Sequence, residues 1–188
     1  MKRLRSQTEK DAALVEKIQQ SDKDAFKELF DQYYAPLCFY ARKIIDSPDQ
    51  SRDIVQDVYI KLWDNRKELV IYKSLKAYMY QAVRNQSLNH LEKRRRQVQF
   101  VEPGFCEKKI ESMHVLRSGH QDPVSEKDLS KRIWELVEEL PEKRKSVFIL
   151  YRKHGLSYSE IAEVMGITRK TVENQMGKAL NFLRNKLI

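Results

Sequence analysis

Five polar side chains share one side of a helix that the sequence predicts near the C-terminus. They are Arg169, Lys170, Glu173, Asn174 and Lys178, with Gly177 among them. Arginine and lysine can hydrogen-bond guanine, asparagine can pair with adenine, and glutamate can accept from the cytosine amino group. A glycine on this side lets a DNA backbone approach closely. This face predicts base reading in the major groove, and the alternative is the solvated face of an ordinary helical hairpin.

A second polar stripe lies far upstream and combines aromatic, amide and basic side chains. Its members recur three or four residues apart and run into a basic helix end: Ser74, Tyr78, Gln81, Asn85, Asn89, Lys93 and Arg94. Tyr72 and Lys73 lie in the loop before this helix. Rings that stack on bases, beside amides and cations that bond base edges and phosphates, suit single-stranded nucleic acid. The alternative is half-buried packing of the tyrosines beside a solvated basic end.

The elements that must hold the downstream face are a helix, a tight turn and a second helix. Ser157 is a predicted N-cap, and Glu160 three residues later completes a capping box. Gly166 can adopt the left-handed conformation that ends a helix, and a new helix starts at Thr168. We expect the second helix to bury Val172, Met176, Leu180 and Leu183. This layout predicts a helix-turn-helix.

The upstream stripe needs further helices around it, and apolar residues at helical spacing predict them. Pro36 is expected to kink or interrupt one helix, and Asp49 or Ser51 to cap the next. The core side of that next helix is predicted to carry Ile54, Val55, Val58 and Leu62. Nearer the C-terminus, Pro141 is predicted to separate two more helices.

The composition favours an all-α fold with a polyanionic partner. The chain has 188 residues, with 5 glycines, 5 prolines and a formal net charge of +9. Few helix breakers favour helices, and the positive charge favours nucleic acid. We find no apolar run suited to a signal peptide or a bilayer span. We therefore expect a cytoplasmic protein whose two cysteines, Cys38 and Cys106, are reduced.

The predicted organisation is two small helical domains, residues 10–96 and 129–188, joined by a flexible linker over residues 97–128. A short helix is predicted within the linker, around residues 110–116. The sequence shows no clustered carboxylates at metal spacing, no glycine-rich phosphate loop and no cysteine–histidine constellation. It therefore predicts neither an enzyme nor a metal or cofactor site.

Three segments together resemble the bacterial extracytoplasmic-function (ECF) sigma factors, the minimal two-domain members of the sigma family. They read DIVQDVYIKLWDNR, LKAYMYQAVRNQSLNHLEKRRR and LPEKRKSVFILYRKHGLSYSEIAEVMGITRKTVENQMGKAL. The resemblance implies a dissociable subunit of RNA polymerase. Its first domain would bind the core enzyme and the −10 element, and its second would bind the −35 element as duplex. An inhibitory anti-sigma factor, often membrane-bound in the family, is also implied.

The resemblance also assigns roles to individual residues. One helix would dock on the polymerase clamp through Asp53, Gln56, Asp57, Ile60, Lys61 and Asp64. The loop from Leu69 to Ser74 would cradle a base flipped from the non-template strand, next to the upstream stripe. One rival hypothesis stays open at this point, namely an autonomous helix-turn-helix regulator that binds duplex DNA as a dimer.

Overall fold

The computed structural model describes the backbone of residues 2–71, 74–101 and 126–187, with the side chains of these residues except 2–8, 98–101 and 126–128. Over this part of the chain the regular structure is eight α-helices and one short 3-10 helix, without strands. The predicted all-α fold is therefore confirmed. The predicted helix at 110–116, Cys106, Tyr72 and Lys73 lie outside the described residues.

Four helices form the N-terminal bundle: α1 (Lys2–Gln19), α2 (Lys23–Ile45), α3 (Pro48–Asp64) and α4 (Leu75–Val101). A 3-10 turn, Arg66–Glu68, follows α3. Pro36 does not interrupt α2, although proline removes one helical hydrogen bond. Tyr33 and Leu37 on either side are buried, so tertiary packing holds the helix together across the proline.

The start of α3 differs from the prediction. Its N-cap is Ser47, with Pro48 in the first turn, and neither Asp49 nor Ser51 takes that position. Proline suits the first turn because its missing N–H has no helical partner there. The Ser51 hydroxyl is buried and donates to the Ser47 carbonyl at 2.6 Å. The predicted core side chains are confirmed, since all four are buried: Ile54, Val55, Val58 and Leu62.

The first turn of α4 is capped by two side chains. The Ser74 hydroxyl accepts from the Ala77 N–H at 3.2 Å, and the Asp11 carboxylate on α1 accepts from the Leu75 N–H at 3.2 Å. The helix continues to Val101, past the residue where the linker was predicted to begin. The next helix that the structure describes begins at Glu126.

Four helices form the C-terminal bundle: α5 (Glu126–Glu138), α6 (Glu142–Arg152), α7 (Tyr158–Met165) and α8 (Arg169–Leu187). Pro141 separates α5 from α6, as predicted. The capping box of Ser157 and Glu160 is present, and Gly166 ends α7 at φ 63°. The predicted helix-turn-helix is thus confirmed at both of its caps.

One residue predicted on the buried face of α8 is exposed. Val172, Met176 and Leu183 are buried, whereas Leu180 is 50% exposed. Ala179, three residues after Met176, takes the inward position instead. At about 100° per residue, the next position points away from the core.

The two bundles touch. Helix α7 packs against α4, and one cluster of buried side chains continues through both bundles. This packing joins residues far apart in sequence, and no local pattern predicted it.

Candidate nucleic-acid and docking surfaces

The recognition face is the exposed side of α8, formed by Arg169, Lys170, Glu173, Asn174, Gly177 and Lys178. The prediction that these residues share one side agrees with their exposure, because only Glu173 is partly covered. Its carboxylate accepts from Arg169 Nε at 3.2 Å and lies 4.0 Å from Lys170 Nζ. Exposed ion pairs contribute little free energy, so all three side chains can turn to another partner.

Helix α8 begins at a side-chain cap, and Gly177 lies further along it at a position with open space around it. The Thr168 hydroxyl accepts from the Thr171 N–H at 3.1 Å and caps the helix. Orphan N–H groups at a helix start attract phosphate. A Cβ added at Gly177 would meet no atom within 4 Å, so the fold itself does not require glycine there.

The strand-contact stripe lies on α4 and on the residue before it, and comprises Ser74, Tyr78, Gln81, Asn85, Asn89, Lys93 and Arg94. Its last four members are exposed, and its first three are partly buried. Burial raises the pKa of Tyr78, so its hydroxyl stays protonated at neutral pH and can donate a hydrogen bond. The partial burial of Tyr78 also agrees with the alternative interpretation of the stripe, in which the tyrosines are half-buried packing residues.

A cleft of about 470 Å³ lies beside this stripe, between α3, α4 and the loop after the 3-10 turn. Tyr78 and Asn85 line it from α4, Lys61 from α3, and Val70 from the loop. The volume lies in the range of small-molecule sites. A ring, an amide and a cation therefore converge on a space large enough for a base.

The loop beside the cleft is held by residues that sequence reasoning missed. Gln19 Nε2 donates to the Leu69 carbonyl at 2.8 Å. Arg66 Nε donates to the Ser21 hydroxyl at 2.9 Å, and its guanidinium lies 4.4 Å from the Trp63 ring centroid. No local signal could have found the two hydrogen bonds, because they join the end of α1 and the turn after it to the 3-10 turn and the residue that follows it, far along the chain.

Two members of the stripe contact the C-terminal bundle. The Ser74 hydroxyl donates to Glu160 Oε1 at 2.6 Å, and Gln81 Nε2 donates to the Glu163 carbonyl at 3.2 Å. The stripe is therefore divided in this structure, with its start engaged by α7 and its end exposed.

The docking face on α3 comprises Asp53, Gln56, Asp57, Ile60, Lys61 and Asp64. All six are exposed, and Ile60 is 58% exposed. Lys61 differs from the other five because it also lines the cleft beside the stripe.

An apolar groove of about 330 Å³ adjoins this face. It is lined by Phe26, Phe30, Gln56, Tyr59, Ile60, Trp63 and Asp64. Phe26 lies 4.9 Å from the Trp63 ring centroid, and Phe30 lies 5.1 Å from that of Tyr59. Exposed Ile60 beside half-buried aromatic rings, rimmed by polar groups, is typical of a protein interface.

The described part of the chain contains no group of three or more His, Cys, Asp or Glu side chains placed to hold a metal ion. None of the helices that the structure describes is long and apolar enough to cross a membrane.

Two family models match the chain. The model described as Sigma-70 region 2 matches residues 29–97, and the model described as Sigma-70, region 4 matches residues 130–183. The first match contains α3 and the stripe, and the second contains the recognition face.

Curated relatives and solved structures show the same likeness over almost the whole length. The ECF RNA polymerase sigma-E factors of Haemophilus influenzae and Escherichia coli K12 are each 26% identical. These alignments cover 94% of this chain and 95% and 94% of the relatives. The fold is similar to CnrH bound to the cytosolic domain of CnrY, with TM-score 0.63, 18% identity and coverage of 94% and 96%. It is also similar to the Bartonella quintana sigma factor RpoE bound to the anti-sigma factor NepR, with TM-score 0.61, 24% identity and coverage of 86% and 96%.

Proposed function

Since the chain belongs to the sigma-70 family, in its ECF group, we propose that it directs core RNA polymerase to promoters as a dissociable initiation subunit. The recognition face reads the −35 element as duplex. The strand-contact stripe and the cleft hold the −10 element once it is opened. The docking face binds the polymerase. Sigma factors are initiation factors and not enzymes, and this chain acts in the cytoplasm with the polymerase.

The chain presents the three surfaces on three different helices, and this arrangement is the main support for the proposal. Helix α8 carries the recognition face, α4 the stripe and α3 the docking face. Each helix exposes polar side chains beyond what its packing needs. One chain therefore carries separate surfaces for duplex, single strand and protein.

Binding of a base in the cleft can contribute free energy to strand opening. Extruding a base from the duplex costs a few kcal/mol of stacking and pairing free energy. Tyr78 offers a ring for stacking, and Asn85 offers an amide for a base edge, in the same cleft. Binding of the extruded base there offsets part of the opening free energy without ATP.

The docking face supplies an apolar anchor and a negative rim. Ile60 adjoins a groove lined by Phe26, Phe30 and Trp63, with Asp64 at its edge. Apolar contact gives affinity, and the carboxylates select a basic partner surface. We propose that this partner is the clamp of the large polymerase subunits.

We further propose an anti-sigma factor as a second protein partner. Support comes from the similar folds, since CnrH and RpoE are each seen with a protein partner, which for RpoE is an anti-sigma factor. The rival hypothesis of an autonomous dimeric regulator is not favoured, because it leaves the stripe and the docking face without a role.

A binding experiment separates the two hypotheses. Purified chain is titrated against core RNA polymerase, and then against promoter fragments with and without that enzyme. We expect tight binding to core, and sequence-specific DNA binding only when core is present. Tight binding of the free chain to palindromic duplex, without affinity for core, contradicts the proposal.

A further inference from the structure

A cavity of about 300 Å³ lies between the two bundles, on a different side of α4 from the cleft beside the stripe. Residues of α2, α4, α6 and α7 line it. None of these lining residues belongs to the recognition face, the strand-contact stripe or the docking face. The volume lies at the lower end of the roughly 300–1,000 Å³ range of small-molecule sites, so a small ligand fits it.

The walls of this cavity are apolar side chains from both bundles. Ile44 and Leu88 line it from the N-terminal bundle, and Ile149 and Met165 line it from the C-terminal bundle. Leu88 is 40% exposed although its side chain is large and apolar. Removal of apolar surface from water is favourable, so a ligand with an apolar body gains free energy by covering these side chains.

Two polar side chains that line the cavity are available to a ligand. Tyr40 is 3% exposed, and its hydroxyl makes no hydrogen bond to a described residue. Arg84 is half-buried, and its guanidinium forms neither a hydrogen bond nor an ion pair with the described part of the chain. Burial raises the pKa of Tyr40 to about 12, although Arg84 acts in the opposite direction, so the hydroxyl can donate at neutral pH. A buried hydroxyl without an acceptor is unfavourable, and an anion in the cavity removes this cost.

The first turn of α6 lines the same cavity and is not capped by a side chain. Pro141 is its N-cap, and no side chain accepts a hydrogen bond there. Lys143 in this turn lines the cavity and is exposed. The N–H groups of a first helical turn lack helical partners and carry partial positive charge, so they favour an anion.

The other charged side chains around the cavity are already paired. The ammonium groups of Lys43 and Lys145 lie 2.5 Å and 3.4 Å from the Glu138 carboxylate. Glu142 is the one carboxylate among the lining residues that the structure describes, and it lies 2.9 Å from Lys145 Nζ. Positive charge therefore remains available at Arg84 and at the exposed lysine of the first turn of α6.

We propose that this cavity binds a small amphipathic carboxylate. The apolar body of the ligand lies against the walls, and its carboxylate accepts hydrogen bonds from Arg84, from the Tyr40 hydroxyl and from the first turn of α6. The planar fork of an arginine matches a carboxylate, and charge-assisted hydrogen bonds of this kind are strong. The site is separate from the three surfaces of the proposed function, so it stands or fails independently of promoter recognition.

The first arm of the test compares four probes by calorimetric titration of the full-length chain. Octanoate carries both the charge and an apolar body, octanol lacks the charge, and acetate and inorganic phosphate lack the apolar body. We expect saturable binding of octanoate at one site per chain. Octanol should bind about tenfold more weakly, and acetate and phosphate about a hundredfold more weakly. Without saturable octanoate binding the site is overturned. Equal affinity for octanol overturns recognition of the anion, and equal affinity for phosphate overturns the role of the apolar walls.

The second arm locates the site with matched glutamine substitutions. Arg84→Gln should weaken octanoate binding by about tenfold, because a charge-assisted hydrogen bond is lost. Lys143→Gln should weaken it by about threefold, since exposed charges contribute less. Arg52→Gln on α3 is the control, because this exposed arginine pairs with Asp49 and does not line the cavity.

Circular dichroism establishes that each variant is folded. Unchanged octanoate affinity in folded Arg84→Gln overturns the proposed site. If that variant is unfolded, Lys143→Gln decides, because its side chain is exposed and its removal leaves the core intact. Equal loss of affinity in the Arg52 control also overturns the site, since the charge effect is then not local.

Discussion

At the scale of single residues, Glu160 links a helix cap to the interface between bundles. Its Oε2 accepts from the Ser157 N–H and hydroxyl, each at 2.8 Å, while Oε1 accepts from Ser74 at 2.6 Å. Burial raises the pKa of this carboxyl, but the hydrogen bonds from Ser74 and Ser157 outweigh it and hold the pKa below its usual range. The carboxylate therefore stays ionised at neutral pH and serves both roles together.

Single side chains of the recognition face carry the next prediction. Asn174→Ala or Lys178→Ala should reduce discrimination between −35 sequences by about 1–3 kcal/mol for each base interaction that the substitution removes. The measurement is competitive promoter binding by the polymerase complex. Lys186→Ala is the control, because this lysine lies in the last turn of α8 and pairs with Glu139. Unchanged promoter preference in both test variants contradicts the assignment of the face.

At the scale of elements, the sequence predicted the helix caps that depend only on residues close together in the chain. Ser157, Glu160 and Gly166 act within one turn of their own helix, so their types and spacing sufficed. The cap of α4 could not be predicted in full, because Asp11 comes from another helix. Leu180 shows a second limit, since a shift of one position along a helix turns a side chain from the core to solvent.

The cap of α7 gives a stability prediction. Ser157→Ala removes the oxygen that accepts from the Glu160 N–H, and it should lower the free energy of unfolding by about 1 kcal/mol. Denaturant titration measures the change. Ser159→Ala on the same helix is the matched control, and it should be neutral or slightly stabilising because alanine favours helix. If both substitutions change the free energy of unfolding equally, the predicted contribution of the Ser157 cap is wrong.

Helix α3 gives a binding prediction. Asp57→Arg should weaken association with core polymerase, because it places a positive charge on an exposed, acidic docking face. Unfolding midpoints should stay unchanged, since the side chain makes no buried contact. Glu16→Arg on α1 is an exposed charge reversal outside the face. Normal affinity of the Asp57 variant in a pull-down counts against the docking surface.

At the scale of the whole molecule, the two domains were predicted as bodies on a flexible linker, and the structure brings them together. Neither Tyr80 nor His154 carries a sequence signal for its partner, because the pair joins distant helices and depends on tertiary packing. The three surfaces were nevertheless predicted from helical periodicity and from the resemblance. How these surfaces lie relative to one another could not be predicted from the sequence.

The interface between bundles predicts a dependence on pH. Burial, with Lys153 and Lys76 nearby, lowers the pKa of His154 from 6.5 to about 4. The packing of the two bundles against each other therefore favours the neutral ring, and the stability of this packing falls as pH drops from about 6.5 towards 4. Glu160 lines the same cavity as His154 and Asp11, and its pKa lies below the usual range. Protonation of this carboxyl near the bottom of the pH range therefore also destabilises the packing of the bundles. Energy transfer between two dyes, one attached to each bundle, should fall over this window, and a flat profile contradicts the predicted role of His154.

The most direct test of the sigma-factor function is transcription in vitro with purified core RNA polymerase on genomic fragments, with and without the chain. We expect transcripts from a small set of discrete start sites, only when the chain is added. Asn85→Ala in the cleft should reduce these transcripts while leaving polymerase binding intact. If the added chain yields no discrete transcripts although core enzyme is active with another initiation factor, the assignment is wrong.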